Sequence, residues 1–584
     1  MENPEDIDQE NGMIKEPLLN HPSKQQGGLR TLPFILANEG FERAAYYGME
    51  SNMIVYLMRN YGLEMASGSN ILFMWSAATN FTPILGAFLA DSYVGRFSMI
   101  AFGSIFSFMG TMLLWSTTII PGATPYTSAT NNISPKLAQL TLLLSSFGLM
   151  SIGTGGIRSS TLAFGADQLV RNGDDDKNAK PSCVGVLESF FNWYYFSISL
   201  SVLFALTCVV YIQDHAGWQI GFGVPALLMF LSTVSFFLSS SSYVKVKPPK
   251  ASLLTGFAQV IVASWRNRHC QLNVDSVYHV VKGSTLEFPS DKLRSLNKAC
   301  IVMDPIQDLT PDGMAVDPWR LCTIDQVEDL KAVINIIPLW STGIMLGVNA
   351  NTTSFRVIQA ISMDRHVLTP TFEIPPGSFN AFALISLMLW LILYDRVIIP
   401  LASKAMGKQV RLSAKTRMGI GLLLSFVYML VAGVVENVRR EMATNGGIIL
   451  IEDTKGIQPM SALWLVPQVC LFGLAEAFTA IGQIEFFYSE FPRSMSSISS
   501  NLFGLGTGVA SLVASFILSV VDRFTTGIGK ESWVSSDINK GHYDYYYWVL
   551  AGLSLLNYIY FVFCSRAYDQ GKRALQGTKE TSHV

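Results

Sequence analysis

Long apolar segments recur along the chain, and each one is long enough to cross a lipid bilayer. A membrane-spanning helix needs about 20 predominantly apolar residues. Twelve such segments can be marked, at 32–57, 70–90, 97–119, 138–164, 186–211, 219–238, 331–352, 374–394, 418–435, 461–487, 498–521 and 545–564. The pattern predicts an all-α membrane protein with twelve transmembrane helices. An even number of spans places both termini on the same side of the membrane.

The polar stretches between these segments divide the chain into five parts. Residues 1–31 are polar and acidic, which predicts a disordered cytosolic tail, and 567–584 form a second cytosolic tail. Six spans lie in 32–242 and six in 331–566, and the polar connector 243–330 between them contains a predicted amphipathic helix. Two six-helix lobes joined by a linker are typical of transporters that bind their solute between the lobes.

Charge and composition support the same picture. Half of the residues are hydrophobic and only 14% are charged, whereas soluble domains contain about 25% charged residues. A clear majority of the 41 Lys and Arg residues lie on the side of the termini, so the positive-inside rule places both termini in the cytosol. The net charge of −2 gives no support for a nucleic-acid partner. We expect a multi-pass protein of the plasma membrane, with an internal membrane as the alternative.

Other residue types argue against a membrane-embedded enzyme. All seven His residues lie outside the twelve segments, which disfavours haem and histidine-rich metal sites. The chain has no Walker A motif, so the energy for transport should come from a gradient. We therefore predict no catalytic residue, no metal and no cofactor.

The first apolar segment carries charge near its middle. Glu39, Glu42 and Arg43 share one helix face, since residues three and four apart are neighbours. An ionisable side chain at the centre of a membrane helix costs roughly 2.5–3.5 kcal/mol on insertion scales. Two carboxylates beside one guanidinium can gain or lose a proton while Arg43 stays charged. The cluster predicts a proton-coupling site beside an aqueous cavity, and a purely structural ion pair is the alternative.

Two further intramembrane charges lie in opposite lobes. Arg158 lies in SIGTGGIRSS of the fourth segment, and Glu476 lies in GLAEAFTAIGQIEFF of the tenth. Such a pair can attract when the lobes close and separate when they open, so we expect both residues at the substrate site. A permanent lock between the lobes is the alternative. Asp91 and Arg96, at a cytosolic helix end, are expected to form a gate.

Seven stretches together carry a resemblance to a known family. They are GFER, DSYVGR, GTGGIRSS, FGADQ, ESFFNWYYFSISLS, PWRLCTIDQVEDLK and LVPQVCLFGLAEAFTAIGQIEFFYSEFP. In this order they resemble the proton-coupled oligopeptide transporter (POT) family, specifically its plant nitrate/peptide branch (NPF) and the first clade of that branch. The resemblance implies a major facilitator fold that gives alternating access to a central site.

The resemblance also implies roles for the charged residues. Glu39, Glu42 and Arg43 would form the proton-coupling ExxER triad, and Glu476 would engage the substrate. Arg158 would replace the Lys that many members have. Because arginine does not lose its proton, Arg158 offers a fixed positive charge and a planar fork suited to nitrate or a carboxylate.

The seventh segment departs from the pattern of a nitrate carrier in this family. Where that carrier has a substrate-binding His, GIMLGVNANTTSF places Ala350. Organic carboxylates are therefore alternative substrates to nitrate. The residues expected to bind substrate are Arg158, Glu476, Asn349, Asn351, Tyr46 and Tyr195.

These observations predict a proton-coupled symporter of a small anionic solute, with low-affinity nitrate as the first candidate. Alternatives are a hormone carboxylate such as a gibberellin, a di- or tripeptide, or a transporter-like nutrient sensor. A charge that crosses 100 mV changes the free energy by about 2.3 kcal/mol, so voltage-driven import of a monovalent anion requires at least two protons per anion.

Overall fold

The structure is a computed structural model, and the residues that it describes are 28–125, 136–169, 181–245, 253–270, 277–280, 288–311, 313–367, 369–408, 412–445, 460–491, 496–527 and 531–581. The expected N-terminal tail lies almost wholly outside the described residues. We call the membrane side on which the first helix begins the terminal side, and the opposite side the distal side.

The first lobe consists of long helices that the apolar segments predict. Their bounds are α1 Leu32–Tyr61, α2 Met65–Leu89, α3 Arg96–Ile119, α4 Leu137–Leu169, α5 Pro181–Phe204 and α6 Val210–Leu238. A π-helical turn at Ala90–Val94 continues α2, and another at Ala205–Val209 joins α5 to α6. The run through α6 breaks at Gly217, whose φ of 80° is accessible mainly to glycine. The break divides this run into two spans.

The linker contains short helices and packs around its own apolar cluster. Its helices are α7 Leu253–Arg266, α8 Arg294–Asn297 and α9 Pro305–Asp308. In α7, Val260 is fully buried against Cys300 and Val327, whereas Trp265 is exposed. The amphipathic helix predicted in the connector is therefore present, and its apolar face contacts the start of the second lobe.

The second lobe repeats the helical architecture. Its elements are α10 Ile324–Ser341, α11 Ile344–Ala350, α12 Thr353–Ile361, α13 Ala381–Leu393, α14 Ile399–Met406, α15 Ala414–Asn445, α16 Leu465–Glu490, α17 Ser496–Thr525 and α18 Tyr543–Thr581. A small antiparallel hairpin, β1 His366–Val367 with β2 Thr369–Glu373, lies between α12 and α13. This hairpin is a minor addition to the all-α prediction.

Several helix ends differ from the prediction. Helix α10 begins seven residues before the predicted 331, because Thr323 and Gln326 form a reciprocal capping box. Helix α18 continues through the stretch expected to be a tail, as far as Thr581. Hydropathy marks the stretch that lies in lipid, whereas capping determines where a helix stops.

The described helices account for the twelve predicted spans. Nine of the described helices or continuous helical runs are long and apolar enough to cross a membrane. The pair Ile324–Ser341 and Ile344–Ile361, bent by 45°, adds a tenth. One of the nine, Ser189–Leu238, is the run that Gly217 divides into two. Helix α1 has the required length but contains the charged residues of the predicted proton site.

The two lobes meet along α2 and α17. Asn70 accepts a hydrogen bond from Ser515 (2.7 Å), and Ser511 bonds to Ser76 (3.1 Å). Towards the distal end the backbone N–H of Met65 donates to Ser536 (3.0 Å). These contacts hold the lobes together from the middle of the membrane to the distal side.

An ion-pair cluster adds to this distal closure. Arg365, beside the hairpin, lies 3.2 Å from Asp214 of the first lobe and 2.8 Å from Glu373 of its own lobe. On the terminal side, Tyr195 of α5 and Tyr488 of α16 are 61% and 49% exposed. The contacts described between the lobes therefore close the distal side.

The second lobe also contains a fully buried ion pair. Arg439 and Glu436 of α15 lie 2.8 Å apart, and neither side chain is exposed. Gln359 donates to the Glu436 carboxylate (2.6 Å), and Arg439 donates to Asn539 (2.9 Å). Because its partners satisfy the pair, it ties α12, α15 and the loop before α18 together.

Candidate functional site

The predicted proton-coupling residues lie on one face of α1, and both carboxylates are 1% exposed. Arg43 is 2.9 Å from Glu39 but 3.9 Å from Glu42. Their shared helix face predicts that all three residues pair among themselves. The structure instead gives Arg43 to Glu39 and leaves Glu42 for a partner on another helix.

That partner is Arg158 of α4. Its Nε and Nη2 donate to the two carboxylate oxygens of Glu42 at 3.0 and 3.1 Å, and the Thr154 hydroxyl donates to the same carboxylate at 2.8 Å. The guanidinium lies over the ring of Tyr46, 4.7 Å from its centroid. Glu42 thus holds Arg158 by the bidentate geometry with which arginine also recognises planar anions.

Glycines place α4 close enough for this contact. A Cβ added at Gly153 would lie 2.3 Å from the Ser107 backbone nitrogen of α3, and one at Gly155 would lie 2.6 Å from Thr82 Cβ of α2. Since only glycine allows such close approach, α4 packs directly against both helices. The GTGG sequence therefore positions Arg158, which follows it.

A cavity in the second lobe contains Glu476. Its lining residues are Trp340, Gly343, Leu346, Gly347, Ala350, Phe472, Glu476, Gln483, Phe503, Gly506 and Thr507. Arg356 of α12 lies over the ring of Phe472, 5.6 Å from its centroid and one helical turn from Glu476. The predicted contact between Arg158 and Glu476 is not formed in this conformation, because Glu42 occupies Arg158. Ala350, which stands where the resemblance implies a substrate-binding position, lies in the wall of this cavity.

Asn349 of α11 and Asn351, which caps the C-terminal end of this helix, do not lie as predicted. Asn349 is fully buried and donates to Ser425 and Ser554 at 2.8 and 2.9 Å, so it joins helices and is not available to a solute. Asn351 donates to the Gly347 carbonyl at 2.7 Å and to Ser511 at 3.3 Å. Both amide nitrogens bond within the protein in this conformation, so the structure gives no support to their predicted role as substrate ligands.

The two tyrosines differ in their surroundings. Tyr46 is 6% exposed, and its hydroxyl donates to Glu50 at 3.3 Å. Tyr195 of α5 is exposed. Tyr46 therefore lies at the charged site, whereas Tyr195 lies on an exposed face of α5.

The predicted gate residues contact each other and a third residue. Arg96 lies 3.5 Å from Asp91, and its Nη1 donates to both oxygens of Asp167 at 2.8 and 2.9 Å. Asp167 belongs to the FGADQ stretch on α4. All three residues are in the first lobe, so they fix the terminal ends of α2, α3 and α4 relative to one another.

Two charged residues at this site were not singled out by sequence. Arg356 follows the seventh predicted segment and lies on α12, where it is 3% exposed and donates to Thr352 (3.1 Å) and Asn380 (3.0 Å). Glu50 lies four residues after Tyr46 and eight after Glu42, and this spacing on one helix face could have revealed it. In the described part of the chain, no group of three or more His, Cys, Asp or Glu side chains is arranged to hold a metal ion.

Comparison with known proteins places these observations in a family. A family profile described as POT family (PTR2) matches residues 97–534. Protein NRT1/PTR FAMILY 1.2 and Protein NRT1/PTR FAMILY 1.1 of Arabidopsis thaliana are each 52% identical to this chain. The matches cover 95% and 97% of this chain and 92% and 96% of those proteins.

Solved structures show the same fold. The POT family transporter PepTSo matches with a TM-score of 0.64 over 93% of this chain and 98% of its own, at 19% identity. An auto-inhibited POT family peptide transporter matches with a TM-score of 0.65 over 92% and 97%, also at 19% identity. The predicted two-lobed major facilitator fold is therefore confirmed, and the protein is a membrane transporter and not an enzyme. The chain belongs to the POT family and, within it, to the first clade of the NRT1/PTR branch.

Proposed function

We propose that the protein is a proton-coupled symporter that carries a small anionic solute by alternating access, with nitrate as the first candidate. One observation carries the proposal: Glu42 of α1 holds the Arg158 guanidinium of α4 by two charge-assisted hydrogen bonds. A titratable acid thus controls the access of an anion to a fixed cation.

Protonation of Glu42 supplies the coupling step. A proton that binds the carboxylate removes its negative charge, so Arg158 loses its ionic partner and its planar fork can bind an anion. Without the proton, the anion competes with a carboxylate that Thr154 also stabilises. Solute binding and proton binding therefore favour each other, which is the requirement for symport.

The second lobe completes the cycle. Opening on the distal side requires separation of Arg365 from Asp214, which lie 3.2 Å apart, and the proton and the anion then enter from that side. The anion held by Arg158 bridges towards the cavity that contains Glu476, and the distal side closes around it. After the terminal side opens, loss of the proton restores the Glu42–Arg158 pair and expels the anion.

A second candidate solute is an organic carboxylate, for example a gibberellin. The observation that favours it is the apolar, aromatic wall of the second-lobe cavity, formed by Trp340, Leu346, Phe472 and Phe503. Such a wall suits an apolar body better than it suits nitrate, while Arg158 would bind the carboxylate in either case.

The test is solute-evoked current in oocytes that express the protein, measured at acid and neutral pH with nitrate, a gibberellin and a dipeptide in parallel. We expect inward current that grows with acidity. Glu42→Gln should abolish this pH dependence, whereas Glu485→Gln should retain it, because Glu485 pairs with Arg417 at a 45% exposed position. A Glu42→Gln variant with the pH dependence of the parent would refute the coupling step, and an absence of current with all three solutes would favour the sensor.

A further inference from the structure

Glu50 is a third acid on the charged face of α1, two turns distal to Glu42. It accepts a hydrogen bond from the Tyr46 hydroxyl at 3.3 Å, and it is only partly exposed. Among the described residues, the charged or titratable groups that face it are Tyr46 of its own helix and Arg158 of α4, whose guanidinium lies 4.7 Å from the centroid of the Tyr46 ring. In the facing lobe, Arg356 lies over the ring of Phe472, one turn from Glu476.

Glu50 is poorly compensated as an anion. Arg158 donates its Nε and Nη2, which form one edge of the guanidinium, to Glu42, and among the described residues no ion pair joins Glu50 to Arg158. A carboxylate away from bulk water needs a paired cation or several hydrogen bonds to stay ionised. Glu50 has one long hydrogen bond and a cation that is shared. In the described part of the chain, Glu50 therefore lacks a cation of its own that would hold it as an anion.

We propose that Glu50 is a second proton-binding site, which works together with Glu42 on either side of Arg158. This inference rests on the proposed symport function and adds its stoichiometry. A proton from water forms an O–H bond on the Glu50 carboxylate, whose charge changes from −1 to 0, and the same O–H bond breaks when the proton leaves on the other side.

Two protonated acids have a specific consequence for Arg158. With Glu42 and Glu50 both neutral, no carboxylate of α1 within its reach competes with an incoming anion. Two protons with one monovalent anion carry one net positive charge, so the membrane potential contributes about 2.3 kcal/mol per 100 mV to import. Glu50 thereby provides the second proton that voltage-driven anion import requires.

Protonation of Glu50 can be measured without any solute. Infrared difference spectra of the purified protein in lipid, recorded between acid and neutral pH, show the C=O stretch of each carboxyl group that gains a proton. We expect Glu50→Gln and Glu42→Gln each to remove a different carboxylic-acid band, and the control Glu485→Gln to remove neither. A Glu50→Gln spectrum with every band of the parent would overturn the proposal.

A second variant covers the case in which Glu50→Gln does not fold. Tyr46→Phe removes the hydrogen-bond donor to Glu50, so the Glu50 band should remain but move in frequency. Unchanged band positions in Tyr46→Phe would also contradict the assignment of a protonated Glu50 beside Tyr46.

A transport measurement separates this inference from the proposed function. Proton uptake per nitrate, measured in proteoliposomes, should fall by one in Glu50→Gln. An equal ratio in the parent and the variant would refute the role of Glu50 while leaving symport intact. If the parent carries no nitrate, nitrate fails as the solute, and the infrared result alone decides whether Glu50 binds a proton.

Discussion

Replacement of Arg158 by lysine tests how the Glu42 contact controls transport. Arg158 makes two charge-assisted hydrogen bonds to Glu42, at 3.0 and 3.1 Å. A lysine keeps the positive charge but has a compact ammonium that cannot reproduce the bidentate fork. Arg158→Lys therefore removes one of the two hydrogen bonds while the charge at the site is unchanged.

The size of the effect follows from that single lost bond. A hydrogen bond to a charged group is worth about 1.5–3 kcal/mol. The lower value is about a tenfold change in the equilibrium between ionised and protonated Glu42, since 1.4 kcal/mol is tenfold. Because Arg158 stabilises the ionised form, a weaker contact lets the proton bind at higher pH. The pH of half-maximal transport should therefore rise by about one unit.

The measurement is nitrate-evoked current as a function of external pH. Arg417→Lys is the matched control, since Arg417 makes one contact of 2.8 Å to the partly exposed Glu485 near the terminal side. Exposed ion pairs contribute about 0–1 kcal/mol, so this variant should keep the midpoint of the parent. A midpoint in Arg158→Lys that stays in place or moves to lower pH would show that the Glu42–Arg158 contact does not set the proton dependence.

Two further predictions concern packing and thiol chemistry. Gly153→Ala places a Cβ 2.3 Å from the backbone of α3, and overpacking of this kind costs roughly 1–3 kcal/mol. The Tm of this variant in detergent should therefore fall. The control is Gly148→Ala on the same helix, where a Cβ meets nothing within 4 Å, and this variant should keep the Tm of the parent or raise it. Burial raises the pKa of Cys300 and of Cys322 to about 12, so maleimide at neutral pH should label the partly exposed Cys270 and spare both buried thiols until denaturant is added.

The fold follows largely from the spacing of apolar segments, because lipid requires helices that satisfy their own backbone hydrogen bonds. The ends of the helices do not follow from hydropathy. The early start of α10 depends on the Thr323 cap, and the 45° bend at its end depends on the short break before α11. Both are local features of polar and small residues, which a sliding count of apolar residues does not detect.

The site was predictable as a set of charges but not as a set of contacts. Spacing on α1 correctly places Glu39 next to Arg43, since that contact lies within one helix. The pairing of Glu42 with Arg158 depends on how close α4 approaches α1, which only packing decides. The position of Asn349 in the sequence predicts a substrate ligand, but the structure places its neighbour Ala350 at the cavity. The amide of Asn349 points between helices instead.

The buried ion pair of α15 bears on how the chain enters the membrane. Arg439 and Glu436 lie one turn apart, so their contact needs no other helix. During synthesis α15 can pass from the translocation channel into the bilayer with its two charges already neutralised. Arg158 depends on Glu42 of α1 instead, and α1 leaves the ribosome well before α4. Chain order thus supplies each of these arginines with an acid by the time that the arginine is inserted.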